Sequence, residues 1–438
     1  MHSNTYFLET FGCTLNQSDS EIIKQILEDN QLIEVDNIDE ARLVIINTCA
    51  VKAATEQKIF HKIKQLKSHD DKVAIIAGCL PLTFKGNEDK IKEILPNFGA
   101  IVGPRNYHLL EDILQKLKSG VRNIIEVSET SLEKKIHLSP KNTFNHLGIL
   151  PISEGCMGAC NFCCTRFARG HLKSYPPDIL KKKFLKMIQQ GIKEVWITAE
   201  DCSAYHDKKT GNLLPSLLEE LLSVDSSYFL RVGMMNPRTL SPILDDLINV
   251  YKSPHVFKFI HVPVQAGSND VLTSMNRKYT IDDFHNIIDG FRCAFPEITL
   301  STDIICGFPG ETDEDFEKTL DLVKDLKPDI INISMYGHRP GTVASRMKPL
   351  PSHVIKQRSK ELTRLHQDLT NETNNRWVGW EGIAVIDEFN AEKVNYVARN
   401  SNYKPVILEK GSLGRFIKLK ITSAEKYYYF GKIIEYLD

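Results

Sequence analysis

LGILPISEGCMGACNFCCTRFARG, residues 147–170, runs from an apolar segment of strand character straight into a loop that sets Cys156, Cys160 and Cys163 in the spacing CxxxCxxC. Three thiolates in one short loop can ligate three irons of a cubane [4Fe-4S] cluster and leave the fourth iron open, as a catalytic metal site requires. Gly155, Gly158 and Ala159 are small enough to let the backbone turn tightly around such a group. A zinc knuckle asks for a fourth Cys or His at fixed spacing, and a ferredoxin loop for a fourth Cys followed by Pro; neither is present. Cys164 leaves a second spacing, CxxxCxxxC, readable beside a structural or auxiliary role.

Downstream of this loop the strand-then-helix pattern repeats. Apolar strands at 147–153, 195–199, 229–234, 257–262, 300–306 and 331–336 alternate with helical patterns. Six such units fall short of the eight-stranded barrel, and right-handed crossovers wrap them into a partial (βα)6 barrel with its site at the strands' C-terminal ends. Upstream, short strands at 6–11, 43–46, 73–77 and 100–102 alternate with amphipathic helices, as in a doubly wound parallel α/β domain. Ser18 and Glu21 read there as a capping box ahead of Ile22, Ile23, Ile26 and Leu27. At the other end, a helix from Ser352 to about Asn374 leads into five short strands, 382–386, 393–399, 405–408, 416–421 and 427–434, which fit a small β-barrel. The expected layout is an α/β domain at 1–127, a polar, Lys-rich linker at 128–145, the partial barrel at 146–370 and the β-barrel at 371–438.

The chain's 438 residues, 42% of them hydrophobic, suffice for two to four domains with sizeable cores. A net charge of -1 excludes a uniformly basic nucleic-acid binder and leaves only a local patch as an electrostatic route to RNA. The N-terminus lacks a basic-then-apolar pattern and no run of 18 apolar residues occurs, so a soluble, cytoplasmic protein without membrane partners is expected. In that compartment clustered cysteines read as metal ligands rather than disulfides. Cys202, Cys293 and Cys306 stand alone and read as small buried hydrophobes. Cys13, Cys49 and Cys79 are different, since each falls just past the C-terminal end of a predicted parallel strand, where an open α/β sheet forms its crevice. Three thiolates converging there can hold a second [4Fe-4S] cluster, again with one free iron.

The CxxxCxxC loop after the first strand of a six-unit βα run resembles the radical S-adenosylmethionine (SAM) superfamily. The resemblance widens along the chain. TFGCTLNQSDSE (10–21), INTCAVKAATEQK (46–58), AGCLP (77–81), HVPVQAGSNDVLTSMNRKYT (261–280) and TDIICGFPGETDEDF (302–316) are similar to the radical SAM methylthiotransferases, and the C-terminal barrel to the TRAM RNA-binding module of that family. The Glu200-Asp201 pair in ITAEDCSAY and the segment RVGMMNP (231–237) resemble the archaeal and eukaryotic branch, which acts on threonylcarbamoyladenosine beside the tRNA anticodon.

The resemblance implies two [4Fe-4S] clusters, on Cys156, Cys160 and Cys163 and on Cys13, Cys49 and Cys79, with SAM as co-substrate. It also implies SAM contacts from Glu200, Asp201, Arg231, Gln265 and Asp303, with Arg231 forking onto the SAM carboxylate. Partners would be the tRNA anticodon loop, an electron donor and a sulfur donor. Arg166 and Arg169 are placed to meet a threonyl carboxylate or a phosphate. In the C-terminal module Lys393, Arg399, Lys404, Lys410, Arg415, Lys418 and Lys420, interleaved with Tyr396, Tyr403 and Phe416, suit RNA. Deleting the chain from Trp377 onward should then weaken tRNA binding and spare SAM cleavage. The rivals are the same chemistry on isopentenyladenosine or on a ribosomal-protein aspartate, and, from another class, a non-catalytic iron-sulfur RNA-binding sensor.

Overall fold

The computed structural model describes residues 4–437 apart from 52, 70, 84–85, 129–131 and 143–145, so parts of the linker region lie outside the described residues. The chain divides into two compact units, one of Met1–Thr143, Ser153–Lys173 and Gly337–Arg346, the other of Phe144–Ile152, Ser174–Tyr336 and Met347–Asp438.

In the first unit six strands, β1 (Thr5–Thr10), β2 (Ile33–Glu34), β3 (Leu43–Thr48), β4 (Val73–Gly78), β5 (Ala100–Val102) and β6 (Ile124–Glu126), form a parallel sheet in the order β2-β1-β3-β4-β5-β6. Every residue of β3 is buried, as expected of a central strand covered on both faces. Ile22, Ile23 and Leu27 of the helix Thr14–Asp29 and Leu110, Ile113 and Leu114 of Leu110–Lys118 pack into one core, while Ile59, Ile63 and Ile91 belong to a second. The strand order reverses between β1 and β3, so the crevice of this doubly wound sheet opens at their carboxyl ends. β2 and β6, the two edge strands of two and three residues, were not read from the sequence.

Ser18 and Glu21 do not form a capping box. The first helix begins a turn earlier, at Thr14, with Cys13 at its N-cap, and Ser18 is buried inside it. Asn16 ties down that first turn by donating to the carbonyls of Phe11 (2.7 Å) and Thr48 (2.8 Å). The Lys-rich stretch read as a linker contains a helical turn, Leu132–Lys135, and Lys135 is buried.

The second unit opens with β7 (Leu147–Pro151); the two-residue strands β8 (Ser153–Glu154) and β9 (Lys173–Ser174) flank the cysteine loop in sequence, and Ser153–Lys173 belongs to the first unit. β10 (Glu194–Thr198), β11 (Phe229–Val232), β12 (Phe259–His261), β13 (Thr299–Cys306) and β14 (Ile330–Met335) follow, all parallel. They lie in the orders β11-β10-β7 and β12-β13-β14, and a parallel bridge from Leu230 to Val256 joins the two halves into a partial barrel. Two of its helices open with full capping boxes, Thr280 with Asp283 and Thr312 with Asp315.

β15 (Glu381–Asn390), β16 (Asn395–Asn400), β17 (Pro405–Leu408), β18 (Phe416–Ala424) and β19 (Tyr429–Tyr436) close into a barrel of order β15-β16-β17-β19-β18, a TRAM-like module. It packs on the partial barrel within the same unit. Phe416 lies 5.6 Å from Phe229, and Tyr403 lies 4.9 Å from Phe257 and 5.0 Å from Phe259, ring centroid to ring centroid. The carbonyl of Ser401 accepts from the Lys258 amide (2.8 Å), that of Asn402 accepts from the Thr299 hydroxyl (2.6 Å), and Lys404 pairs with Asp329.

Under this seam Glu194 is fully buried, with Asp387 and Arg399 nearby. Burial, reinforced by the Asp387 charge, pushes its carboxyl up from 4.5 to about 8. A raised carboxyl pKa costs nothing below about pH 4.5, where both states are protonated, and costs progressively more as pH rises toward 8, because only the unfolded chain releases the proton freely. Glu194→Gln is therefore expected to raise the melting temperature at pH 8 and leave it nearly unchanged at pH 5. Equal effects at the two pH values, measured by calorimetry, would contradict this assignment.

Candidate metal and cofactor sites

The cysteine loop folds around its own sulfurs. Gly155 has φ +77° and its α-carbon faces backbone, since a β-carbon there would sit 2.3 Å from the His171 carbonyl oxygen. The Gly158 amide donates to the Cys156 sulfur (3.2 Å), and a β-carbon on Gly158 would touch the sulfurs of Cys156 at 3.2 Å and Cys160 at 3.6 Å. The Thr165 amide donates to the Cys163 sulfur (3.4 Å). Amides aimed at sulfurs in a glycine-bearing cradle suit an iron-sulfur cluster, whose sulfurs accept such bonds. Cys164 faces away: it is buried, bonds to the Ala50 carbonyl (3.4 Å), and burial pushes its thiol up to about 12. That geometry favours the structural role.

The structure also brings Cys13, Cys49 and Cys79 together at the crevice of the parallel sheet. Asn16 sits among them, its Oδ1 3.9 Å from the Cys13 sulfur and 3.8 Å from that of Cys79. Gly12 has φ +119° and abuts Cys49, whose Cβ would lie 2.6 Å from a side chain there, so only glycine fits. Burial pushes the Cys79 thiol up to about 12, while Arg169 acts in the opposite sense. Among the described residues no three Cys, His, Asp or Glu side chains are close enough to share one ion. A cubane does not ask for that, because each iron takes a single protein thiolate.

Arg169 departs from expectation. It is buried, and its guanidinium donates to Asn16 (2.7 Å), Asp19 (2.7 Å), Glu154 (3.3 Å) and the Cys79 sulfur (3.3 Å). It is not available to a substrate carboxylate, whereas Arg166 is half-buried. Lys135 completes the cluster, paired with Asp19 (2.6 Å) and Glu154.

In the second unit the five residues assigned to SAM separate. Glu200 is half-buried just past β10, and Asp303 accepts from His261 Nε2 (2.9 Å) and from the Asn332 amide (2.7 Å). Gln265 holds a φ of +73° with its backbone bonded to Asp303 and Ile305, an uncommon conformation for a residue with a side chain. The other two already have partners within the protein. Asp201 is buried and its carboxylate is used by the Ser203 hydroxyl (2.7 Å), the Asn236 amide (3.1 Å) and the Thr239 hydroxyl (2.8 Å), which pin the β10 and β11 loops together. Arg231, level with Trp196 in the strand register, lies between the rings of Phe259 (4.9 Å), Tyr403 (5.0 Å) and Trp196 (5.3 Å) at the seam with the β-barrel. His261 and Asn332 were missed, although a charged residue inside the apolar run of β13 was a signal that its neighbours would be polar too.

The basic stripe of the β-barrel divides likewise. Arg399 pairs with Asp387 and Lys404 is buried, and Tyr403 and Phe416 are packed into the seam. Lys393, Lys410, Lys418 and Lys420 are exposed, and so are Lys432, Tyr428, Phe430 and Tyr436, which lie past the stripe in β19 and its approach.

A profile of the radical SAM superfamily matches residues 150–323, and one described as "Uncharacterized protein family UPF0004" matches residues 5–103. The radical SAM methyltransferase TsrM of Kitasatospora setae, solved with tryptophan and a SAM analogue, superposes with a TM-score of 0.55 at 14% identity over 78% of this chain and 75% of that one. Partial barrel and cysteine loop thus define a radical SAM protein. A probable threonylcarbamoyladenosine tRNA methylthiotransferase of Pyrococcus horikoshii is 38% identical over 98% of this chain and 99% of its own length. The enzyme of that name from Danio rerio is 34% identical over 98% of this chain and 78% of its own. The chain belongs to the threonylcarbamoyladenosine tRNA methylthiotransferase family.

Proposed function

We propose that this protein is the enzyme that converts N6-threonylcarbamoyladenosine, next to the tRNA anticodon, to its 2-methylthio derivative. The observation that carries this reading is 34–38% identity, along nearly the full length of this chain, to archaeal and eukaryotic relatives of that name. Two separate sets of three cysteines support it, because a sensor has no need of two clusters that each leave an iron open. When bound, the clusters and SAM supply the radical and the methylthio group.

The residues divide that work. Cys156, Cys160 and Cys163 hold the cluster that SAM joins, and Cys13, Cys49 and Cys79 hold the second. Glu200 and Gln265 position SAM, and the array of His261, Asp303 and Asn332 keeps a carboxylate fixed for hydrogen bonding. Arg166 meets the threonyl carboxylate. The cytoplasm, a reductant and a sulfur donor complete the setting, and no helix among the described residues is long and apolar enough to cross a membrane.

Anaerobic incubation with SAM, sulfide and reductant, using tRNA that bears either threonylcarbamoyladenosine or isopentenyladenosine, tests the substrate. Mass spectrometry of nucleosides should show thiomethylation of the former. Modification of the isopentenyl substrate alone, or of a ribosomal protein and no tRNA, overturns the assignment.

The exposed β18–β19 face grips the RNA backbone, with Tyr428 and Phe430 available for stacking. Each lysine on a phosphate contributes roughly 0.7–0.9 to the salt slope of log affinity. Lys418→Glu, Lys420→Glu and Lys432→Glu together are expected to lower that slope by about 2 and to weaken tRNA binding at least about tenfold. SAM cleavage without tRNA should be unchanged. An unaltered slope in filter binding places the RNA elsewhere.

A further inference from the structure

Arg169 belongs to the segment that follows the CxxxCxxC loop, yet its guanidinium reaches the other set of cysteines. Nε donates to the Cys79 sulfur at 3.3 Å, and Nη2 donates to Asn16, the residue whose Oδ1 lies between the sulfurs of Cys13 and Cys79. The group is held on every side. Asp19 and Glu154 accept from it, Lys135 bridges the same two carboxylates, and the Arg105 guanidinium donates to the Arg169 carbonyl. Lys135 and Arg169 balance the charges of Asp19 and Glu154, and of these side chains it is Arg169 that sets an N–H on the Cys79 sulfur.

A buried arginine is expensive to desolvate and is replaceable by apolar packing where only stability is at stake. Here one of its five donors is spent on a thiol, a weak acceptor when protonated and a strong one as a metal-bound thiolate. We propose that Arg169 is a positioning residue for the cluster on Cys13, Cys49 and Cys79, fixing the Cys79 sulfur and raising that cluster's reduction potential through the Nε–H bond. The inference rests on the assignment of a cluster to those three cysteines. Hydrogen bonds to cluster sulfurs stabilise the more negative, reduced state, and so shift the potential upward. The donor is rooted just beyond Cys163 in sequence and ends on the Cys79 sulfur.

The test uses the full chain carrying Cys156→Ala, Cys160→Ala and Cys163→Ala, which retains only the second site, reconstituted anaerobically with iron and sulfide. In this background Arg169→Lys keeps the charge toward Asp19 and Glu154 and loses the Nε–H donor. A redox titration followed by electron paramagnetic resonance should give a more negative potential than with Arg169 in place. The charge-balanced pair Arg169→Gln with Asp19→Asn should shift it the same way. In case both variants fold poorly, arginine-selective 15N labelling of the Arg169-containing chain provides a measurement without substitution, in which the reduced cluster should show hyperfine coupling to one guanidinium nitrogen. An unchanged potential in a folded variant with about four irons, or no 15N coupling, overturns the role of Arg169. Failure of the Arg169-containing chain to bind iron at all overturns instead the assignment of a cluster to Cys13, Cys49 and Cys79.

Discussion

Replacing Cys156, Cys160 and Cys163 together by alanine is expected to remove about four irons per chain and all cleavage of SAM to 5'-deoxyadenosine. Replacing Cys13, Cys49 and Cys79 should remove about four others, spare cleavage and abolish thiomethylation. Both effects are expected to be all-or-none because each set of substitutions removes every thiolate assigned to its cubane. The folds should survive. The three loop cysteines and Cys79 are half-buried and Cys13 is exposed, so of the six only Cys49 is a buried side chain. Iron assay and chromatography of 5'-deoxyadenosine check both halves. Cleavage persisting without the CxxxCxxC sulfurs, or about four irons in the unsubstituted protein, contradicts the two-site arrangement.

Deletion from Trp377 onward is expected to unfold much of the second unit rather than to produce an active enzyme with weak RNA binding. Phe229, Phe257 and Phe259 are covered by Phe416, Tyr403 and Val385 of the β-barrel. Re-exposing three phenylalanines costs roughly 5–9 kcal/mol at about 1.5–3 kcal/mol each, an upper estimate. That is comparable with the whole stability of a typical domain, about 5–15 kcal/mol. The bared patch is also a site for aggregation. A soluble, cooperatively melting truncation that cleaves SAM at the full rate would show that the seam contributes little. This expectation reverses the one drawn from sequence, in which the barrel was an appendage.

What was legible in the sequence followed from local spacing. The CxxxCxxC loop, the parallel strands and the helix Ser352–Asn374 each announce themselves within a few turns of chain. Even the distant trio Cys13, Cys49 and Cys79 was recoverable, because strand ends in an open sheet must converge. What failed depended on which side of an element faces what. A strand in a small closed barrel presents alternate residues outward, and nothing local says whether outward means solvent or another sheet, so Lys404 and Tyr403 read as RNA contacts although they fill a seam. Arg231, given to SAM by its motif, lies among aromatic rings at the same seam, a neighbourhood that a strand motif does not show while its register is unknown. Asp201 was given to SAM by its motif, and sequence does not show the three protein donors that its carboxylate accepts from. Cys293, read as buried, is exposed on its helix. Ser18 satisfied a capping pattern inside a helix that had begun earlier, at a point fixed by Asn16 and a strand far along the chain.

The first unit is assembled from three separate stretches of chain, the last of them Gly337–Arg346. Ala344 bonds through its amide to the Asn161 carbonyl (2.9 Å), and Arg339 pairs with Glu56. On the ribosome, Cys13 emerges long before those residues exist. At about 5–20 residues per second, the interval between synthesis of Cys13 and of Arg346 lasts roughly 15–70 s. Through that time the nascent sheet presents thiols while the last segment of its unit has not been made, and exposed thiols are open to oxidation.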